Sequence, residues 1–337
     1  TTPAVSLLAT PGTGQELNLE LKRKSLGLIV EKRFGNFQVE VNFKNEDKNG
    51  ARFWGRGFAC TAQYVTLGVC TTATGTALLM LPEPVDSTIR QFDARLNYTG
   101  QKLKLSGGYY GSFYANRYGS LRPNVVGPLG NLNGGVAAAD AALLAYLNTP
   151  MALWPDNQSH QIFLGGNYAI APKTRMNFKY SYTHGTQNES FSGMGLAGGP
   201  VGRDNLGGVI NTTKAQLGFS SRPFDKVHLH GDLSYDSKKN QTPIDVYNTH
   251  FFGTSPAATP ARFTNGNPSP KKFDAKLEAN YKLPGNYLLT GGVRYEHEDF
   301  GKWTTSDVAG GVTALRQKVD ETGFRVELRK TMSETFT

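Results

Sequence analysis

Long apolar runs are missing from this 337-residue chain. No window approaches the roughly 18 consecutive apolar residues of a membrane-crossing helix, so helical transmembrane segments are excluded. A spanning β-barrel is not, because only every second residue of its strands faces lipid. Charge is also sparse: Asp, Glu, Lys and Arg make up 19% of the residues, against 39 Gly, 15 Tyr and 19 Phe. That mixture suits neither a disordered chain nor a helical enzyme, and points to a β-rich protein with many turns. Cysteine occurs only at Cys60 and Cys70, in a Thr- and Gly-rich stretch with no CxxC and no nearby His. The leading reading is a disulfide closing a surface loop, ahead of a metal pair. Thr1-Thr2-Pro3 has neither a basic start nor an apolar h-region, so no signal peptide is visible; for an exported protein this predicts a mature or trimmed chain. The formal charge of +9 favours anionic partners without choosing among lipid headgroups, nucleic acid, acidic ligands and haem propionates.

What the chain does have is strict alternation. Met176, Phe178, Tyr180 and Tyr182 oppose Asn177, Lys179, Ser181 and Thr183. Phe92 to Tyr98, Val227 to Tyr235, Phe273 to Tyr281 and Phe324 to Leu328 repeat the pattern, each with one apolar and one polar face. Short reversals are predicted at Phe34-Gly35-Asn36, Thr99-Gly100-Gln101, Ala171-Pro172-Lys173, Arg222-Pro223-Phe224-Asp225 and Leu283-Pro284-Gly285-Asn286. Long loops are predicted over about 49–86, 117–157, 190–208, 239–270 and 301–312, with a short helix over Val136–Leu147. Leu17, Leu19 and Leu21 are out of phase with Leu26, Leu28 and Val30, which predicts a turn or bulge at Lys22–Ser25.

Short turns at one end and long loops at the other define an antiparallel up-and-down meander, the layout of a transmembrane β-barrel in a bacterial outer membrane. The expectation is a single all-β unit over residues 1–337 with about eleven or twelve strands. Tyr98, Tyr168, Tyr182, Tyr235, Tyr281 and Tyr295 fall near strand ends, where a tyrosine ring suits the headgroup level. Gly166, Gly231 and Gly291 on the apolar face are poor core fillers but tolerable against lipid. A soluble β-sandwich is the weaker alternative.

Pro155-Asp156-Asn157-Gln158-Ser159-His160-Gln161, leading into a Gly-containing strand, a Pro turn and a strand ending at Thr186-Gln187, resembles the MtrB/PioB family of decahaem-associated outer-membrane proteins. Leu81 to Asp86, Gly108 to Phe113, Asn211-Thr212-Thr213 with Leu217 to Pro223, and Lys276 to Pro284 match it in order, over about residues 15 to 335. The resemblance implies a large barrel sheathing a periplasmic multihaem c-type cytochrome and supporting extracellular electron transfer, with an extracellular multihaem cytochrome as a further partner. The haem belongs to the partner: no CxxCH occurs here, and no cofactor is expected on this chain. Twelve strands enclose only about 24 Å between backbones, whereas about 26 strands reach near 50 Å, enough for a folded cytochrome. The resemblance therefore also implies that this chain is a segment of a larger barrel.

The polar face is expected to line the lumen, with Arg95, Lys102, Lys104, Arg175, Lys179, Lys214, Lys226, Lys276, Arg294, Arg325 and Arg329 on it, among carboxylates. It reads either as a basic wall that positions an anionic cytochrome or as mixed charges paired across strands. His228 and His230 have a spacing at which two imidazoles can share a metal, but solvated histidines explain them as well, and no metal is expected. Asp156, Asn157 and Gln158 are expected to stitch a loop onto its strand; His160 and Gln161 belong to the same motif. No nucleophile elbow, phosphate loop or carboxylate pair appears, so an enzyme is not expected. The expected partners are outer-membrane lipid and cytochrome, with no nucleic acid; the rival function is a porin admitting small anions.

Overall fold

The computed structural model describes residues 18–60, 62, 65, 73, 76–124, 129–130, 136–137, 144–145, 147–195, 200, 202–248, 262–301 and 317–330. The strands, in chain order, are β1 (Leu21–Phe34), β2 (Phe37–Ala59), β3 (Thr76–Thr99), β4 (Leu103–Asn116), β5 (Ser120–Leu121), β6 (Leu129–Gly130), β7 (Val136–Ala137), β8 (Met151–Ala152), β9 (Asn157–Ala171), β10 (Thr174–Gln187), β11 (Gly208–Phe224), β12 (Val227–Asn240), β13 (Val246–Asn248), β14 (Arg262–Thr264), β15 (Lys271–Leu283), β16 (Tyr287–Asp299) and β17 (Lys318–Lys330). The long ones form a single 11-stranded antiparallel sheet in chain order, as the alternation predicts. The short ones pair within the connections, β5 with β8, β6 with β7 and β13 with β14. β1 and β17 each have one neighbour, so the sheet is open at both edges.

Register carries side-chain parity across the sheet. Leu233 stands opposite Ala275, and Ala275 opposite Tyr295; one position along, Asp232, Lys276 and Arg294 form the matching polar row. The apolar face is exposed rather than packed: Leu26 is 70% exposed, Phe324 82% and Val326 82%. The few buried apolar side chains, Cys60, Leu147, Phe191 and Met194, lie outside the long strands. A single layer with one bare apolar face has no dry core to be a sandwich, and an exposed patch of that kind needs lipid to cover it. The band from Tyr281 to Phe273, or from Tyr98 to Phe92, spans about six to eight positions, roughly 15–20 Å of height at about 3.3 Å per residue and a tilt near 40°.

Several local expectations are corrected. The 49–86 loop is largely strand: β2 runs to Ala59 and β3 starts at Thr76. Pro82 and Pro84 are tolerated there because Arg117 N bonds Asp86 O on the same alternation, so positions 82, 84 and 86 turn their backbone groups away from β2. No turn or bulge occurs at Lys22–Ser25, where β1 keeps continuous register with β2; Leu21 simply ends its strand on the polar face. The fourth reversal is Asp225-Lys226, since β11 continues to Phe224 through a register shift that accommodates Pro223. In the 136–147 stretch Val136–Ala137 is strand, residues 144, 145 and 147 are helical with Asn148 N bonded to Leu144 O at 3.0 Å, and residues 138–143 and 146 lie outside the described residues. Of the 301–312 loop, residues 302–312 lie outside the described residues.

Candidate functional site

The polar face is the surface that chemistry must use, and most of its charge is paired. Arg95 meets Asp93 at 3.3 Å, Lys214 meets Asp236 at 2.7 Å and Lys276 meets Glu278 at 2.6 Å. Arg294 bridges Asp274 and Glu296, both at 2.6 Å; Arg325 joins Glu278 at 3.2 Å and also Glu327, which Arg329 reaches at 3.0 Å. Lys272 adds links to Glu296 and Glu298. The cations of these pairs are exposed, so the pairs add little to stability, and their effect is to neutralise the wall from β15 to β17.

Arg23 and Lys44 likewise meet Glu46, at 3.1 and 3.0 Å, whereas five of the predicted wall cations have no carboxylate partner among the described residues. Lys104, Arg175 and Lys179 project from the turn-proximal halves of β4 and β10, and Lys102 and Lys226 sit at the adjoining turns. Lys282, which the sequence reading passed over although it continues the Asp274-to-Asn280 alternation, joins them: its N–H donates to Lys226 O at 2.8 Å, which sets two lysines opposite each other. Nearer the long-loop end, Lys48 and Lys238 have no ion-pair partner among the described residues. The free positive charge is thus concentrated, though not confined, at the short-turn end.

Tyr110 and Tyr114 also stand on the polar face, and Phe163 brings an aromatic ring with no polar group to it. Phe163 lies opposite Gly108 and Ser181 on the polar face, with the Arg95 guanidinium 5.4 Å from its ring centroid. Gly108 makes room for it, since a Cβ there would sit 2.2 Å from Ala94 O and 2.9 Å from the Phe163 ring.

The histidine pair is occupied by neighbours. His228 Nε2 is 3.1 Å from Ser220 Oγ, and His230 Nε2 is 2.7 Å from Asp232 Oδ2. Among the described residues no group of three or more His, Cys, Asp and Glu could hold a metal. In the Asp156–Gln161 motif, Asn116 N donates to Asp156 Oδ1 at 2.7 Å, Asn157 Nδ2 to Pro155 O at 3.1 Å, and Gln161 Nε2 to Thr183 Oγ1 at 2.9 Å. Gln158 and His160 instead share the outward face with Ile162, and His160 Nδ1 is 2.7 Å from the Tyr109 hydroxyl. Cys60 is disulfide-bonded and buried; Cys70 lies outside the described residues.

A family model described as "Putative outer membrane beta-barrel porin, MtrB/PioB" matches residues 2–337. The chain belongs to the MtrB/PioB family. "Outer membrane protein MtrB" of Shewanella baltica is 22% identical over 298 residues, 84% of this chain and 36% of that protein. The FrpB iron transporter of Neisseria meningitidis (F3-3 variant) superposes with a TM-score of 0.50 at 15% identity, over 92% of this chain and 43% of that one. Its F5-1 variant gives 0.47 at 15% identity, over 94% and 44%. The chain therefore spans well under half the length of these relatives. FrpB shares the fold alone. As an MtrB/PioB member this is an outer-membrane β-barrel chain of a porin-like family, which is not a class of enzymes. Its exposed apolar face meets lipid, and its polar face lines the barrel.

Proposed function

We propose that this chain forms part of the wall of an outer-membrane sheath that holds a periplasmic multihaem c-type cytochrome and supports electron transfer across the membrane. The observation that carries the reading is the distribution of charge on the inner wall: a neutralised surface from β15 to β17, and unpartnered Lys102, Lys104, Arg175, Lys179, Lys226 and Lys282 at the short-turn end. Short turns face the periplasm in this architecture, so an anionic partner arriving from that side meets free positive charge first. The partner brings the haem; this chain offers no CxxCH. An extracellular multihaem cytochrome would meet the long-loop end.

Two further points support a wall rather than a closed pore. Open sheet edges are not tolerated in hydrocarbon, so β1 and β17 each need a strand to pair with. Eleven strands would also enclose only about 22 Å between backbones, too narrow for a folded protein.

The same free cations favour a second reading, a porin selective for small anions. Detergent extraction of the full-length protein from its native membrane, followed by pull-down, haem staining and an absorbance spectrum, separates the two. A stoichiometric c-type haem band that survives washing supports the sheath. A colourless barrel that conducts small anions in a planar bilayer replaces it with the porin.

A further inference from the structure

The outward face changes character abruptly at its long-loop end. Beyond Leu26 the next outward residue of β1 is Lys24; beyond Phe92 on β3 it is Arg90; beyond Ile162 on β9, His160; beyond Tyr182 on β10, His184; and beyond Phe273 on β15, Lys271. The next outward residues of the other long strands are amides, hydroxyls, an alanine and His297, while two carboxylates face cations of the tier, Asp47 opposite Lys24 and Asp299 opposite Lys271; Asp299 accepts from Gly301 N at 2.9 Å. His297 is held by Asp320 at 2.7 Å. Asp47, one outward position further on, is occupied by Asn45 at 2.9 Å and Thr88 at 2.8 Å rather than by Lys24, which stands opposite it.

The cations of this tier are unpaired among the described residues: Lys24, Arg90 and Lys271 are exposed and none has an ion-pair partner. His160 and His184 stand directly opposite each other on neighbouring strands. Each uses Nδ1 within the sheet, His160 toward the Tyr109 hydroxyl and His184 toward Asn211 Oδ1, both at 2.7 Å. Their Nε2 atoms have no partner among the described residues.

A tier of free cations on the lipid side, just outside an aromatic girdle, lies at headgroup height. The long loops place it in the outer leaflet. We propose that this tier binds the phosphate groups of outer-leaflet lipid, with Arg90, Lys24 and Lys271 as charged ligands and the His160–His184 pair as hydrogen-bonding ligands. Charge-assisted bonds to phosphate are the strong ones at such a surface, and basic residues at headgroup level draw anionic lipid. The tier also gives a role to His160, which the wall itself does not use.

The test is calorimetric titration of the protein, purified from its outer membrane and stripped of lipid in neutral detergent. The titrants are diphosphorylated lipid A, its dephosphorylated counterpart and inorganic phosphate. Saturable binding of the diphosphorylated lipid alone is expected, weakened at least about tenfold in a Lys24→Gln/Arg90→Gln/Lys271→Gln variant. A Lys104→Gln/Lys179→Gln/Lys282→Gln variant, which removes equal charge from the inner wall, should bind like the parent. Equal binding of the dephosphorylated lipid overturns the proposal, as does inorganic phosphate binding equally well by itself, which would mark a free-anion site. The comparison of lipids on the unaltered protein stands even where a variant fails to fold.

Discussion

Arg52 and Glu83 form a two-point pair, Nε to Oε2 at 2.8 Å and Nη2 to Oε1 at 2.6 Å, across the part of β2 and β3 that outruns both neighbouring strands. β1 stops opposite Gly50 and β4 stops opposite Ser87, so above that level the hairpin is a two-stranded ribbon. Glu83 is only 5% exposed, and Arg52 is its sole ion-pair partner among the described residues. Arg52→Met should therefore leave a buried charge unmatched and loosen the ribbon by about 1–3 kcal/mol. The Arg52→Met/Glu83→Leu double variant should recover much of that loss. Amide hydrogen exchange over the ribbon measures both, and equal protection in the parent and the single variant would show that the pair is ornamental.

The assignment of faces is tested at the middle of the apolar band. Leu277 lies between Gly231 and Val293 on the outward face, while Ser234 lies opposite Asp274 on the inner one. Leu277→Arg should cost about 2–4 kcal/mol in a bilayer, because it sets a charge against hydrocarbon. Ser234→Arg should be nearly neutral beside carboxylates. Equilibrium unfolding from lipid vesicles compares them, and a larger cost at Ser234 would mean that the two faces are exchanged.

Most of the sheet was legible because lipid on one side and water on the other force a two-residue period that nothing local disturbs. Met176 to Tyr182 and Phe273 to Tyr281 show it without ambiguity. The turns at Gly35 and at Pro284-Gly285-Asn286 were equally plain, since Gly35, Gly285 and Asn286 have φ of 58°, 78° and 63°. The ribbon was hidden because Gly55, Gly57, Pro82 and Pro84 carry loop composition; whether a proline fits a strand depends on which edge its missing N–H faces, and that is a property of register. The basic residues of the wall were also legible, but not their division into paired and free. Lys276 with Glu278 and Arg325 with Glu327 are two apart on one face, whereas Arg294 with Asp274 exists only through the β15–β16 register. Phe163 was missed because one phenylalanine among the polar residues of β9 looks like noise until Arg95 and Gly108 are seen around it.

Lys226 and Lys282 oppose each other with no carboxylate between them. Like charges in such positions disfavour the fold, so Lys282→Glu should raise stability by about 0.2–1 kcal/mol while reducing retention of an anionic partner. Unfolding midpoints and haem-to-protein ratios in salt-washed membranes report the two effects separately. Higher stability with unchanged haem would separate this lysine pair from the partner site.

At the same end Lys173 Nζ reaches Asp225 Oδ1 at 2.6 Å, linking two neighbouring turns. That hydrogen bond, with the lysine's charge, holds the Asp225 carboxyl below its ordinary range. A lowered folded-state pKa makes the link favourable above the unfolded value of about 3.9, and it is lost as pH falls through the folded value. Asp225→Asn should thus differ from the parent only slightly at neutral pH, the pair being exposed. The difference should shrink as pH falls below the unfolded value and vanish once it is below the folded one. A gap that widens on acidification, in urea titrations run at several pH values, would contradict the assigned direction.

The free and the paired cations of the wall should behave differently, and that contrast bears most directly on function. Arg325 and Arg329 are neutralised by Glu278 and Glu327, so replacing them with glutamine removes charge that a partner never meets in full. Lys104, Arg175 and Lys179 carry unshielded charge toward the lumen. Their combined replacement by glutamine should weaken capture of an anionic cytochrome and flatten its dependence on ionic strength, because long-range attraction between exposed charges is what salt screens. Arg325→Gln/Arg329→Gln should leave both the affinity and the salt slope close to those of the parent. Haem retained per barrel across a salt series reads the two variants side by side. If both lose haem equally, the wall acts through its total charge, and the turn-end concentration of free lysine and arginine has no separate role.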